Sequence, residues 1–234
     1  SIMVKKSPTD EWSKFLIPIQ TPVSLGDQVY NNLLEAILSQ QIKPGQHLVE
    51  QPLADQLSVS RISIREAIRR LAQEGLVEII PTRGSFVVNL TSTDVEEIYR
   101  LRTSLECIAV EHIISHYQAG MLDVFDDILD DMQDIERLED RFQGAAVDNH
   151  FHRTLMHLSG LKRTIQIWEQ MSNQITMVIY NVSNYYPTIT GFTGRHSPLL
   201  DLIRSGDTPN ATRYLKEHIQ EGSQHILKAM LQII

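Results

Sequence analysis

Three arginines, Arg61, Arg65 and Arg69, recur at every fourth position, a spacing that lines three cations along one face of a helix. The planar guanidinium fork of arginine suits the paired acceptors on the major-groove edge of guanine, and it suits phosphate oxygens equally well. Ser60 and Ser63 bracket the first of these arginines. With the free amides of a helix start they form a set of phosphate donors. Arg83, followed by Gly84, adds a cation on a separate turn. A solvated face, with the arginines paired to Glu66 and Glu74, is the other use of the same residues. Further along, Asp148/His152, His112/His116 and Glu221/His225 each stand four residues apart, close enough on a helix for both side chains to reach one metal ion. With 20 acids and 8 histidines in residues 91–234, chance supplies about three such pairs. Spacing alone therefore selects none of them.

The elements that must carry these residues follow from periodicity. Residues 1–23 contain Pro8, Pro18 and Pro22 and little pattern, as an extended arm would. From Ser24, a candidate N-cap, the positions Val29, Leu33, Ile37 and Leu38 repeat helically and stop at Pro44-Gly45. A short helix over 53–57 follows Pro52. After the break at Ser58-Val59, Ser60 caps a third helix, 61–74, which buries Ile64, Ala67, Ile68 and Leu71 and ends at Gly75. Residues 76–80 and 86–90 are apolar and β-branched around Pro81-Thr82-Arg83-Gly84-Ser85, the pattern of a hairpin with a basic tip. Two short helices, a tight break and a basic hairpin form a winged helix-turn-helix over residues 24–90. From Thr91 onward only helical periods remain. Six helices are expected, at 93–118, 121–141, 143–159, 162–183, 194–205 and 208–232, with breaks at Gly120, Gly144, Gly160, the stretch 183–194 and Gly206-Asp207-Thr208-Pro209. The fold expected is mainly α: a winged N-terminal unit and a six-helix antiparallel bundle over 91–234.

Composition narrows the function classes. The 234 residues, with 42% apolar and 21% charged, can bury a substantial core in two units. The net charge of −8 is segregated: residues 1–90 hold 9 basic and 9 acidic side chains, and residues 91–234 hold 12 and 20. From Arg61 to Arg83 the count is five basic against three acidic, so an acidic chain keeps a locally basic reading surface and strongly salt-dependent DNA binding is expected. The lone Cys107 excludes an intrachain disulfide and fits a reducing cytoplasm. No apolar run reaches membrane-spanning length, and the apolar stretch 15–19, broken by Pro18, is short for a signal peptide.

The string Ile42-Lys43-Pro44-Gly45-Gln46-His47-Leu48-Val49-Glu50-Gln51-Pro52-Leu53-Ala54, then Leu57-Ser58-Val59-Ser60-Arg61, Arg65-Glu66-Ala67-Ile68, Leu71, Glu74-Gly75-Leu76-Val77 and Arg83-Gly84 resembles the DNA-binding domain of GntR-family transcriptional regulators. The resemblance implies that Arg61, Arg65 and Arg83-Gly84 face DNA, with Ser60 and Ser63 on phosphate; Arg69 joins them by its spacing on the same face. Ile62-Ser63 stands where members commonly have Thr or Gln and then Pro, and an isoleucine can meet a thymine methyl but cannot hydrogen-bond a base. The string Asp148-Asn149-His150-Phe151-His152-Arg153 with Leu158-Ser159-Gly160, His196 before Leu199-Leu200, and His218 in Leu215-Lys216-Glu217-His218-Ile219 resemble the FCD effector domain of the FadR/VanR branch.

That second resemblance implies a divalent metal on Asp148, His152, His196 and His218. A mixed set of three nitrogens and one oxygen suits Zn²⁺, Ni²⁺ or Mn²⁺ and leaves positions for water or a ligand carboxylate. It also implies a small carboxylate effector, with Arg102 as a second cation to clamp it. An Arg102/Glu106 surface pair is the other reading of that residue. His112, His116, His150, His157 and His225 are left as surface or satisfied core groups. The function expected is a dimeric repressor on a palindromic operator, released by an organic acid. A constitutive DNA-binding protein with a structural metal is the alternative. A metalloenzyme is the remaining rival, and the chain has no HExxH, no G-x-S-x-G and no glycine-rich phosphate loop to support it.

Overall fold

The computed structural model describes residues 24–182, 191 and 193–232. The arm expected over 1–23 and most of the break expected over 183–194 lie outside the described residues.

Helix α1, Leu25–Leu38, starts where the Ser24 side chain accepts the Asp27 amide, and it buries Val29, Tyr30, Leu33 and Ile37. Strand β1, His47–Leu48, follows; it is too short for a sequence pattern to reveal and was not expected. Helix α2 runs Glu50–Leu57, one turn earlier than Pro52 suggested. Proline fits in the first turn because the amides there have no helical partner. Ser58 turns the chain in the left-handed region, and α3, Arg61–Gln73, begins with Ser60 accepting the Ser63 amide, a cap worth about 1 kcal/mol. Its core face is Ile64, Ala67, Ile68 and Leu71. Gly75, at φ +75°, closes the helix in a conformation that disfavours any Cβ.

Strands β2, Val77–Ile80, and β3, Gly84–Val87, pair antiparallel with Val77 opposite Val87 and Ile80 opposite Gly84. Strand β1 lies on the other edge of β3, with His47 opposite Phe86, so the order is β1-β3-β2. The second strand thus starts two residues before the expected Phe86, and the wing tip shortens to Pro81-Thr82-Arg83.

The rest is helical: α4 Ser92–Ser115, α5 Asp126–Leu138, α6 Arg141–Leu158, α7 Lys162–Val182, α8 Ser197–Arg204 and α9 Thr208–Met230, with 3₁₀ turns at Asp123–Phe125 and Thr193–Arg195. Thr91 and Asp94 form a capping box at the start of α4. Gly144, expected as a break, lies inside α6. The break falls at Asp140, whose Oδ1 accepts the Gln143 amide. Asp207 caps α9 by accepting the Asn210 amide.

Helix α4 packs along α9 and also meets α6, α7 and α8. Its buried face runs Val95, Ile98, Tyr99, Arg102, Glu106, Ala109, Val110 and Ile113, so an apolar stripe carries two charges at its centre. Helix α7 touches both halves of the molecule. Gln170 donates to the Gln73 carbonyl at 3.0 Å and Gln174 to the Gly75 carbonyl at 2.9 Å, while Met177 is buried among Val29, Leu33, Ile68 and Leu71 of the N-terminal core. Among the described residues no helix is long and apolar enough to cross a membrane.

Candidate metal centre and nucleic-acid interface

Asp148 and His152 stand one turn apart on α6, His196 occupies the N-cap of α8, and His218 projects from the middle of α9. Each offers one ligand atom, and these atoms lie within 4.8 Å of one another. His196 Nε2 is 3.0 Å from Asp148 Oδ1, His152 Nε2 is 3.2 Å from His218 Nε2, and His152 Nε2 is 4.0 Å from Asp148 Oδ1. His152 and His196 are buried. Phe151 lies edge-on to both rings, at 5.5 and 4.8 Å between centroids, and forms an apolar wall. The structure therefore draws together one of the three i,i+4 pairs and two distant histidines. His112 on α4 and His116, its C-cap, have rings 4.2 Å apart and tilted at 31°, and His157 meets Glu169.

The donor set fits a divalent ion, and its surroundings strengthen the fit. His152 Nδ1 is 2.7 Å from Glu106 Oε2. An ionised carboxylate only accepts, so Nδ1 carries the proton and the Nε2 lone pair is left to face the cluster. Glu106 Oε1 accepts from Arg102 Nε at 2.6 Å and from Trp168 Nε1 at 2.8 Å. Burial alone would raise the Glu106 carboxyl, but His152 and Arg102 outweigh it and hold the group at about 2. Asp148 is likewise lowered: its burial is overcome by the His196 hydrogen bond and the charges of His152, His196 and Arg102. Burial, with His196 and His152 alongside, pushes His218 well below the usual imidazole range, toward the neutral ring that a metal requires.

Arg102 is only 5% exposed, which overturns a surface pairing with Glu106. The pair exists, inside the bundle. Arg102 Nη2 is buried and has no hydrogen-bond partner among the described residues, and an unsatisfied cationic donor in such a place is costly. Sequence reasoning missed Glu106 and Trp168 as parts of the centre. The available signal was that positions 102 and 106 fall in register with Val95, Ile98, Tyr99, Ala109 and Ile113.

On the N-terminal half, Arg61, Arg65 and Arg69 are exposed on α3 and Arg83 is exposed at the wing tip. Neither Glu66 nor Glu74 neutralises them. Glu50 pairs with two of them: Arg65 Nε and Nη2 meet its two oxygens at 2.8 and 2.7 Å, and Arg61 Nη2 reaches the same carboxylate at 3.2 Å. Glu74 instead accepts from the Tyr30 hydroxyl. The hydroxyls of Ser60 and Ser63 lie 3.0 Å apart, and Ser60 also holds the Ser63 amide, so both serines are engaged in the cap. Gly84 sits within β3 at φ +110°, where a Cβ would fall 2.4 Å from His47 Nε2; packing under His47 accounts for its lack of a side chain. Ile62, next to Arg61, is 67% exposed.

Two family models match the chain: "Bacterial regulatory proteins, gntR family" over residues 25–87 and "FCD domain" over residues 97–221. An uncharacterized HTH-type transcriptional regulator of Bacillus subtilis, YdhC, is 34% identical over 154 residues, covering 62% of this chain and 68% of that protein. The HTH-type transcriptional repressor RspR of Escherichia coli is 25% identical over 205 residues, covering 86% and 89%. Among solved structures, E. coli McbR/YncC superposes with a TM-score of 0.73 at 24% identity, over 91% of this chain and 100% of that one, a likeness of fold. A winged helix-turn-helix joined to a helical bundle, matched along most of its length by these two family models, identifies the chain as a member of the GntR family of bacterial regulatory proteins with an FCD domain, a DNA-binding transcriptional regulator and not an enzyme.

Proposed function

We propose that the protein is a cytoplasmic, homodimeric repressor that binds a palindromic operator through residues 24–90 and senses a small carboxylate beside a divalent metal in residues 91–234. Asp148, His152, His196 and His218 hold the metal, with Zn²⁺, Ni²⁺ and Mn²⁺ all suited to the donors. The bound ion supplies a Lewis-acidic position for one carboxylate oxygen. The single observation that carries the reading is Arg102 Nη2, a buried guanidinium donor without a partner among the described residues, one carboxylate removed from metal-facing His152. A ligand carboxylate satisfies that donor and the open metal position together. Leu101 and Ile108, seven residues apart and exposed on α4, suit burial against a second copy, and the similar protein RspR is named a transcriptional repressor.

Arg61, Arg65, Arg69 and Arg83 contact DNA, and the serines contribute through the cap that orders the first turn of α3. Effector binding can alter DNA affinity only if it favours one arrangement of the two halves. Helix α7 is suited to transmit that preference, since Trp168 donates to Glu106 while Gln170 and Gln174 hold the end of α3.

The test is a thermal-shift screen of the purified protein against mono- and dicarboxylates, sugar acids and amino acids, with and without chelator treatment. Stabilisation by one acid class that disappears on chelation is the expected result. An acid that stabilises equally after chelation binds away from the four ligands and overturns the metal-assisted reading. No stabilisation by any acid, with DNA binding intact, overturns acid sensing itself.

A further inference from the structure

One carboxylate serves two guanidiniums at the DNA-facing end of the N-terminal half. Glu50 is the first residue of α2, where a negative charge is favoured by the helix dipole. Its partners lie 11 and 15 residues later, on a different helix. The two contacts are unequal. Arg65 makes a forked, two-bond contact at 2.8 and 2.7 Å, whereas Arg61 makes one longer bond of 3.2 Å and is the more exposed of the two, 57% against 47%. A bidentate charge-assisted pair fixes the plane of a guanidinium, and a single bond leaves it free to rotate. Arg65 uses two of its five N–H groups on Glu50 and keeps three for another acceptor. Arg61 keeps four.

We infer that Glu50 is a specificity-determining residue for DNA reading: it fixes Arg65 in one plane as a rigid contact and leaves Arg61 as the arm that reaches a base. This rests on the proposal that Arg61 and Arg65 face DNA. Two further features favour it. Arg65 foremost, with Arg61, holds the Glu50 carboxyl at about 2, so the anion persists across the working range. The pair of arginines also carries a net single positive charge instead of two, which lowers attraction to any phosphate backbone. Discrimination rises when sequence-blind affinity falls while base contacts stay ordered.

The experiment separates charge from geometry in the full chain. An operator duplex is selected from a random pool with the wild-type protein, and a scrambled duplex of equal composition is the control. In Glu50→Gln the ratio of operator to scrambled affinity falls by about tenfold, the loss of roughly one well-placed arginine contact. In this variant scrambled-duplex binding also tightens, and the plot of log affinity against log salt steepens by about 0.9 per protomer as one phosphate contact is gained. Glu50→Asp keeps the charge and shortens the reach; its ratio falls similarly while the salt slope stays as in wild type. Arg65→Lys, a point charge without a fork, matches Glu50→Asp.

A ratio unchanged in both Glu50 variants, with affinity for both duplexes lowered together, makes Glu50 a structural strut between α2 and α3 and overturns the inference. A ratio that rises in both variants makes Glu50 an inhibitory lock and also overturns it. Arg61→Ala and Arg65→Ala are measured alongside. If neither lowers the ratio, the assignment of these arginines to DNA fails. If they lower it and the Glu50 variants do not, only the role of Glu50 fails.

Discussion

A carboxylate with no exposed surface is tolerated only when donors meet both of its oxygens, and Glu106 meets that condition through Arg102 and Trp168 on Oε1 and His152 on Oε2. Glu106→Gln keeps the volume but replaces one acceptor oxygen with an NH₂ group. That group must face either the donors of Arg102 and Trp168 or the Nδ1 proton of His152, so whichever way the amide turns one of these contacts is lost, and with it goes the negative charge behind the imidazole. Metal affinity should fall by about 10–100-fold, as measured by competition with a chromogenic chelator. Unchanged affinity would mean that Phe151 packing alone orients His152. Residue-level reading of the sequence found the four convergent donors through family resemblance, because spacing selected nothing. It missed Glu106, for which register with the apolar stripe of α4 was the one available signal, and Trp168, whose role depends on the approach of α4 and α7.

At the scale of elements, the helix ends were the most legible feature, because caps are local chemistry. Ser24, Ser60 and Gly75 terminate helices as their residue types suggest. Gly144 misled because a glycine in a first turn costs only about 1 kcal/mol, and Asp140 just before it supplies the real cap. Strand β1 was invisible, since two residues carry no period and the pairing partner lies some forty residues away. The Glu50 bridge was hidden because its partners, 11 and 15 residues later, sit on a different helix whose approach no local pattern gives.

Helices α1 and α3 are joined by the Tyr30 hydroxyl donating to Glu74 at 2.5 Å, with Arg70 stacked over the same ring. Burial, and then the neighbouring Glu74 carboxylate, raise the Tyr30 phenol above its ordinary value of 10.0. Because the folded value is raised, the stability it contributes is fully present below pH 10 and is lost as the pH climbs beyond, where the unfolded chain releases its proton first. Urea denaturation across pH 8–11 should show a steeper alkaline decline in wild type than in Tyr30→Phe. Parallel declines would assign the alkaline sensitivity to other groups.

The described residues form two main hydrophobic interiors with a shared wall, and a small third cluster of Ala109, Met156 and Trp168. The second interior is the larger, and the first is completed by a side chain from α7: Met177, 1% exposed, lies against the helices of the N-terminal half. Met177→Ala should destabilise that half by about 2–5 kcal/mol. Hydrogen exchange should show it as faster opening of α1 and α3, with α9 unaffected. Equal acceleration throughout would mean that the two interiors unfold as one unit.

A chimera that grafts residues 24–90 onto a foreign bundle inherits a socket shaped for a thioether chain. The graft regains its native rigidity only where the recipient offers an apolar side chain of similar size at that point. The seam for recombination between reader and sensor is thus set by the reach of one methionine, nearly ninety positions beyond the apparent boundary in the chain.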